Sequence, residues 1–285
     1  MTTETKHVPV LLGAVIETLG DIRGMRIIDA TFGAGGYSRA FLNAGAIVTA
    51  FDRDPNVVAD ATAMRGEFGN RFNFISQPFS AMADLTDTFD AIVFDLGISS
   101  MQIDIASRGF SFRADAPLDM RMSENGKTAA DLIDELSAAD LAHILREYGD
   151  VPRAAIIANA IKRATPKTTF ALRDLIHNPR DIAPVFQALR IAVNDEMGEL
   201  ERALRAVPGL LGVHGKCVCV TFHSLEDRIV KNTFRAWTTV PGDPRIPTVA
   251  TADFEMLATK TPDVAELGNN PRARSAHLRA VVKSC

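Results

Sequence analysis

Three aspartates stand where apolar, strand-like runs give way to turns. Asp29 is near the end of the run 25–30, Asp52 follows 47–51, and Asp95 follows 91–94. An ionised carboxylate only accepts hydrogen bonds. Placed at strand ends, such groups can hold hydroxyls or an ammonium group, or take an N–H from a reacting amine. Between the first two lies Gly33-Ala34-Gly35-Gly36, which leads into a helical pattern. Glycines there permit a tight turn and close approach of a ligand to the backbone. The helix start that follows offers unpaired N–H groups to an anionic group.

Asp52 comes about twenty residues after the turn, where an acidic residue binds ribose hydroxyls in nucleotide-binding βαβ units. The pattern therefore suits a nucleoside-bearing cofactor. The third glycine of G-x-G-x-x-G is missing, and Ser38 stands in its place. This disfavours a nicotinamide-dependent oxidoreductase. Asp29 suits a methyl donor, whose amino-acid ammonium can meet a carboxylate. Gln77-Pro78-Phe79 follows the third strand-like run. The Phe79 ring can flank an adenine there or simply join the core.

Apolar strand runs alternate with helical patterns up to Asp95, the signature of βαβ units and a parallel sheet. The run 91–96 is apolar and β-branched, as in a strand buried on both faces. After Gly97, Ser99 and Ser100, about twenty residues lack any period, and so long an irregular loop in a compact domain is usually functional or disordered. It carries Phe110, Phe112, Met101, Met120, Met122, Arg108, Arg113 and Arg121, too apolar for simple disorder. In open α/β sheets, ligands sit outside the carboxyl ends of the strands. The loop is thus the expected seat of the chemistry.

Strand signals then vanish for a long stretch. Helices are expected over 128–136, 138–148 and from Pro152 to Pro166, with a short one from 169 or 170 to 176. Pro184 reads as the first residue of one long amphipathic helix through Val207, stopped by Pro208-Gly209. Strands resume at 216–222 and end at 277–282, with a helix at 225–234 and an irregular stretch over 241–271. The expectation is a sheet domain (1–103 and 209–285) with an all-helical domain (104–208) inserted.

The chain has 285 residues, with 47% hydrophobic and 23% charged, ordinary for a globular protein. Its net charge of -4 rules out polyanion binding by bulk charge. A nucleic-acid partner would need local basic patches. Cys217 and Cys219 share one face of a strand and Cys285 is terminal, with no C-x-x-C pair. Buried free thiols, rather than a metal site, are expected, in a reducing compartment. With neither a signal peptide nor a spanning segment in view, a cytoplasmic protein without membrane partners is expected.

The chain resembles the bacterial small-subunit ribosomal RNA cytosine-N4 methyltransferase family, over nearly its whole length. The resemblance rests on the motifs His7 to Leu12, Asp29 to Ser38, Phe51 to Pro55 and Asp95 to Gln102. It continues through Arg108 to Phe112, Pro117 to Met122, Phe186 to Ile191, Phe222 to Arg228 and Asn270 to Ser275. It implies a class I S-adenosylmethionine-dependent methyltransferase fold, a Rossmann-like α/β sheet with an inserted all-α domain. It implies S-adenosyl-L-methionine as methyl donor. The target implied is a decoding-centre cytosine of 16S rRNA within the small ribosomal subunit. A homodimer is the protein partner to consider. Cofactor contacts carried over fall on Gly33, Gly35, Gly36, Tyr37, Asp52, Phe79, Asp95 and Gln102. Tyr37 stands where many relatives have histidine.

On this reading Asp95 either accepts an N–H from the cytosine amine or holds the cofactor. Ser99, Ser100, His223 and Ser224 are second candidates for contacts to the base, although serines at such places often cap turns. Phe110 and Phe112 either stack on a flipped base or anchor the loop. Arg108, Arg113, Arg121, Lys162, Arg163, Lys167, Arg173, Arg272 and Arg274 are the expected phosphate contacts. The alternative is a non-catalytic RNA-binding assembly factor with the same fold.

Overall fold

A computed structural model describes residues 9–240, 252–257 and 259–284. His7, Val8, Cys285 and much of the 241–271 stretch lie outside the described residues, as do the side chains of Ser100 and Arg272. The chain divides into two compact units, 1–97 with 199–285, and 98–198.

The first unit contains helix α1 (Leu12–Leu19), strand β1 (Arg26–Asp29), α2 (Gly36–Asn43), β2 (Ile47–Phe51), α3 (Val58–Phe68), β3 (Phe72–Ile75) and β4 (Phe89–Asp95). The second contains α4 (Ser100–Asp104), α5 (Ala129–Glu135), α6 (Ala138–Gly149), α7 (Ala154–Ala164), α8 (Thr169–Asp174) and α9 (Pro179–Asn194). Helix α10 (Glu196–Leu210) leads back into the first unit. There β5 (Leu211–Thr221), α11 (Ser224–Trp237), β6 (Phe254–Met256), α12 (Val264–Asn269) and β7 (His277–Lys283) complete the chain.

The seven strands run in the order β3-β2-β1-β4-β5-β7-β6. The first five are mutually parallel, and β7 is antiparallel to both β5 and β6. Alternation along the strands fills two cores. Val93 and Val218 join α1, α2 and α3 on one face, while Ile92, Phe94, Cys217 and Cys219 join α10 and α11 on the other. The two cysteines are free and buried. This is the class I methyltransferase sheet that the resemblance implies. Strand order reverses between β1 and β4, and doubly wound sheets bind ligands at such a switch point. Asp29 and Asp95 end those two strands.

The helical unit departs from the sequence reading in three ways. First, the expected long helix is two. Asp195 takes a left-handed conformation (φ 48°) and ends α9. Pro184 lies inside α9, which is started instead by Asn178 capping the N–H of Arg180 ahead of Pro179. Gly149, at the end of α6, permits close packing there, since a Cβ would lie 2.6 Å from the Pro184 carbonyl oxygen. Pro208 likewise lies inside α10.

Second, the division falls at 98–198 rather than 104–208. The reason is that Leu200, Ala203, Leu204 and Val207 of α10 pack onto the sheet.

Third, much of the irregular loop after Asp95 is scaffold. Phe110, Leu118, Met120 and Met122 are buried in the helical core with Ile133, Leu145 and Leu189. Arg108 is only 8% exposed and donates to the carbonyls of Arg121 (2.8 Å) and Met122 (2.9 Å). Asn194 donates to the Met120 carbonyl and accepts from the Met122 N–H, both at 2.7 Å. The backbone is satisfied without regular structure, so no period appears in the sequence.

Candidate functional site

The glycine turn is shaped by its neighbours. Gly33 and Gly35 have positive φ (52° and 75°), a conformation that costs glycine little. A Cβ on Gly35 would also lie 2.7 Å from the Met64 methyl and 2.9 Å from the Phe32 ring. A Cβ on Gly36 would lie 2.4 Å from Pro9 Cγ. The turn at the start of α2 therefore packs closely against Phe32, Met64 and Pro9, which only glycine permits.

Around it stand the three aspartates, Asp29 and Asp95 ending β1 and β4 and Asp52 just past the end of β2. Asp29 is 1% exposed and accepts from Ser38 Oγ (2.6 Å) and from the Thr31 N–H (3.2 Å). Asp52 accepts from the N–H groups of Gly33 (2.8 Å) and Asp54 (2.9 Å). The backbone N–H of Asp95 donates to Thr31 Oγ1 at 2.7 Å, which fixes the end of β4 to the loop after β1. Thr31 and Ser38 thus build the site, although the sequence reading gave them no part in it. Both lie in the quoted Asp29–Ser38 motif, and Ser38 was read only as the missing glycine.

Asp95 Oδ1 is buried and accepts no hydrogen bond. A buried acceptor left in that state costs on the order of 1–3 kcal/mol. Neither Asp29, Asp52 nor Asp95 pairs with a lysine or arginine among the described residues. Burial pushes the Asp29 carboxyl up to about 6, despite the Ser38 and Thr31 donors. Burial also raises the Asp52 carboxyl. It raises Asp95 well above the carboxylate range, helped by the negative fields of Asp29 and Glu226. Such a site favours a cationic ligand.

The remaining predicted residues are placed as follows. Tyr37 is buried, its hydroxyl donating to the Val10 carbonyl. Phe79 is half-buried and meets Phe94 edge-on at 5.8 Å between centroids. In the helical unit, Ser99 caps α4 by accepting from the Gln102 N–H (3.2 Å), while Gln102 accepts from the Ser99 N–H (3.1 Å). His223 caps α11. Its Nδ1 accepts from the Glu226 N–H at 3.5 Å, and Nε2 lies 2.9 Å from Glu226 Oε1 without hydrogen-bond alignment. Glu226 is itself buried and accepts from the N–H groups of Phe222 and His223.

Several expected RNA contacts have structural partners instead. Arg108 holds carbonyls, as described. Arg121 pairs with Asp119 at 2.7 Å, and Lys162 donates to the Ile133 and Asp134 carbonyls. Lys167 pairs with Asp134, while Arg173 pairs with Asp174 and lies over the Phe170 ring. Arg113, Arg163 and Arg274 are exposed. Phe110 is 8% exposed, which removes it as a stacking platform. Phe112 packs edge-on against Phe186 at 5.3 Å, which makes it an anchor of the loop.

The MraW methylase family model matches residues 4–284. The chain belongs to that family. It is similar to proteins named ribosomal RNA small subunit methyltransferase H. The one from Chelativorans sp. (strain BNC1) is 47% identical, over 96% of this chain and 86% of that one. That from Caulobacter sp. (strain K31) is 46% identical, over 98% and 93%. That from Rhizorhabdus wittichii is 42% identical, over 98% and 94%. A methylase of this family uses S-adenosyl-L-methionine as its methyl donor. Among the described residues no helix is long and apolar enough to cross a membrane.

Proposed function

We propose that the protein methylates the exocyclic N4 of a decoding-centre cytosine in 16S rRNA of the small ribosomal subunit. S-adenosylmethionine is the donor. The observation that carries this reading is the buried, unpaired Asp95 Oδ1, on a strand end tied to the loop after β1, in a chain of the MraW methylase family. The named relatives support the RNA and the subunit.

The donor fits the residues present. It carries two cations, a sulfonium and an α-ammonium, and the site offers three unpaired carboxylates. Asp52 would hold the ribose hydroxyls, the start of α2 the carboxylate group, and Phe79 one face of the adenine. When bound, the donor supplies an electrophilic methyl group on sulfur.

The chain must make a poor nucleophile react. The lone pair of the cytosine amine is delocalised into the ring. Asp95 Oδ1 would accept one amine N–H and so fix the orientation of the amine. Positioning of this kind removes much of a barrier. Burial raises the proton affinity of Asp95, so once ionised beside a cationic donor the carboxyl would be suited to hold the proton that the amine loses. Thr31 holds the Asp95 backbone in place. His223 would act through the start of α11 as a positioning residue.

The test is radiolabelled methyl transfer to small subunits, with mass spectrometry of 16S rRNA from cells with and without the protein. Labelled N4-methylcytidine that disappears with the protein is expected. An unchanged methylcytidine pattern overturns the reading, in favour of a non-catalytic assembly factor.

A further inference from the structure

Helix α11 divides its charge unevenly. Its acidic residues lie in the first turn and face inward. Glu226 is buried against the backbone of Phe222 and His223, and Asp227 is held by Arg279 through two hydrogen bonds of 2.7 and 2.9 Å. Val230 and Phe234 face the sheet core. What remains exposed is Ser224, Arg228, Lys231, Asn232, Arg235 and Ala236. That face carries three cations and no carboxylate, in a chain of net charge -4. None of the three cationic side chains has a hydrogen bond or ion pair among the described residues.

The stripe is regular. Positions three and four apart lie on one side of a helix. At 1.5 Å rise per residue the three charges span roughly 10 Å along the axis. It also has a fixed relation to the carboxylate site. Val220 of β5 is the register partner of Asp95, and α11 starts three residues after β5 ends. The stripe therefore leads away from the strand edge that holds Asp95. The cap at Glu226 and the Asp227–Arg279 pair make the start of the helix rigid.

We infer that Arg228, Lys231 and Arg235 form a docking surface for the phosphate backbone of the RNA that carries the target base. The occupant is a polyanionic strand, because three cations in line, with no carboxylate exposed among them, complement a row of phosphates. This inference rests on the RNA reading proposed above. It places backbone contact on the sheet unit itself, whereas the sequence reading assigned much of it to the helical insert.

The experiment uses the full chain with Arg228→Gln, Lys231→Gln and Arg235→Gln combined, and measures binding to small subunits across a salt series. Each phosphate contact contributes roughly 0.7–0.9 to the slope of log affinity against log salt. The triple variant is expected to bind at least tenfold more weakly and to lose about 2 from that slope. Its affinity for S-adenosylhomocysteine and its melting temperature are expected to match the wild type. The single variant Lys231→Arg, which keeps the charge, is expected to bind normally. Equal affinity and slope for the triple variant and a wild type that binds subunits would overturn the stripe alone. A wild type that shows no binding to subunits overturns the RNA reading and the stripe with it. Should the triple variant melt early, Lys231→Gln alone reads the slope, and no change there overturns the inference.

Discussion

At the carboxyl edge of the sheet, Asp29, Asp52 and Asp95 form no ion pair with a lysine or arginine among the described residues, and Asp95 Oδ1 has no donor at all. In the helical unit, Arg108, Arg121, Lys162, Lys167 and Arg190 each lie against a carbonyl or a carboxylate. The first region keeps electrostatic cost in place, and the second removes it. A fold retains that cost where a ligand is to relieve it. Charge that is unpaired therefore marks the site more reliably here than charge that is abundant.

The most direct way to break this contrast is Asp95→Asn, which keeps the shape and removes the acceptor charge. Methyl transfer to small subunits is expected to fall by roughly 10²–10⁴, the usual worth of a positioned base. Single-turnover labelling would measure it, and wild-type turnover would strip Asp95 of any role. The opposite region should respond in stability instead. Asn194→Ala removes hydrogen bonds to Met120, Met122 and the Arg190 carbonyl, all inside the helical unit. With buried partners left unpaired, a loss of about 3 kcal/mol is expected in urea unfolding. Binding of S-adenosylhomocysteine is expected to stay as it was.

Asp29 sharpens the contrast through pH. Its carboxyl is raised from an ordinary 3.8 to about 6 in the fold. The native state then binds more protons than the unfolded chain between those values. By linkage, the stability present below pH 4 is lost as pH rises through 6. The ligand-free protein should lose on the order of 2–3 kcal/mol over that interval from this group. Asp29→Asn should flatten the dependence and raise the melting temperature at pH 7.5, while weakening S-adenosylmethionine binding. A melting temperature that climbs from pH 4 to 7 in the wild type, and equally in the variant, would remove the cost assigned to Asp29.

The same physics decides how much was legible in the sequence. Strands β1 and β4 announce themselves because a strand buried on both faces must be an apolar run. The glycine turn and the aspartates after it could be read because their spacing follows from the βα unit. The break at Asp195 could not, since an aspartate in a left-handed conformation leaves no mark that a glycine would. Pro184 misled for a related reason. Proline usually opens a helix, but here Asn178 and Pro179 had already done so. The loop after Asp95 read as functional because it lacked a period. Its order comes from Arg108 and Asn194 bonding to backbone far along the chain, which no local pattern records. The free stripe of α11 was equally hidden, because whether a lysine is paired depends on what folds against it.

Lys162 offers the smallest effect and the finest test of the contrast. By sequence it belongs to a basic cluster with Arg163 and Lys167. In the structure its ammonium donates to the Ile133 and Asp134 carbonyls at 2.6 and 3.0 Å, at the end of α5. Carbonyls at a helix end lack partners within the helix, and a lysine there satisfies them and meets the negative end of the dipole. Lys162→Met keeps the length and apolar stem but removes the donor. The expected loss is ~1 kcal/mol of stability. The salt slope of small-subunit binding is expected to stay at the wild-type value, because an ammonium already spent on carbonyls has no counterion to release on meeting a phosphate. Loss of slope without loss of stability would return Lys162 to the RNA surface and erase the distinction between paired and unpaired charge.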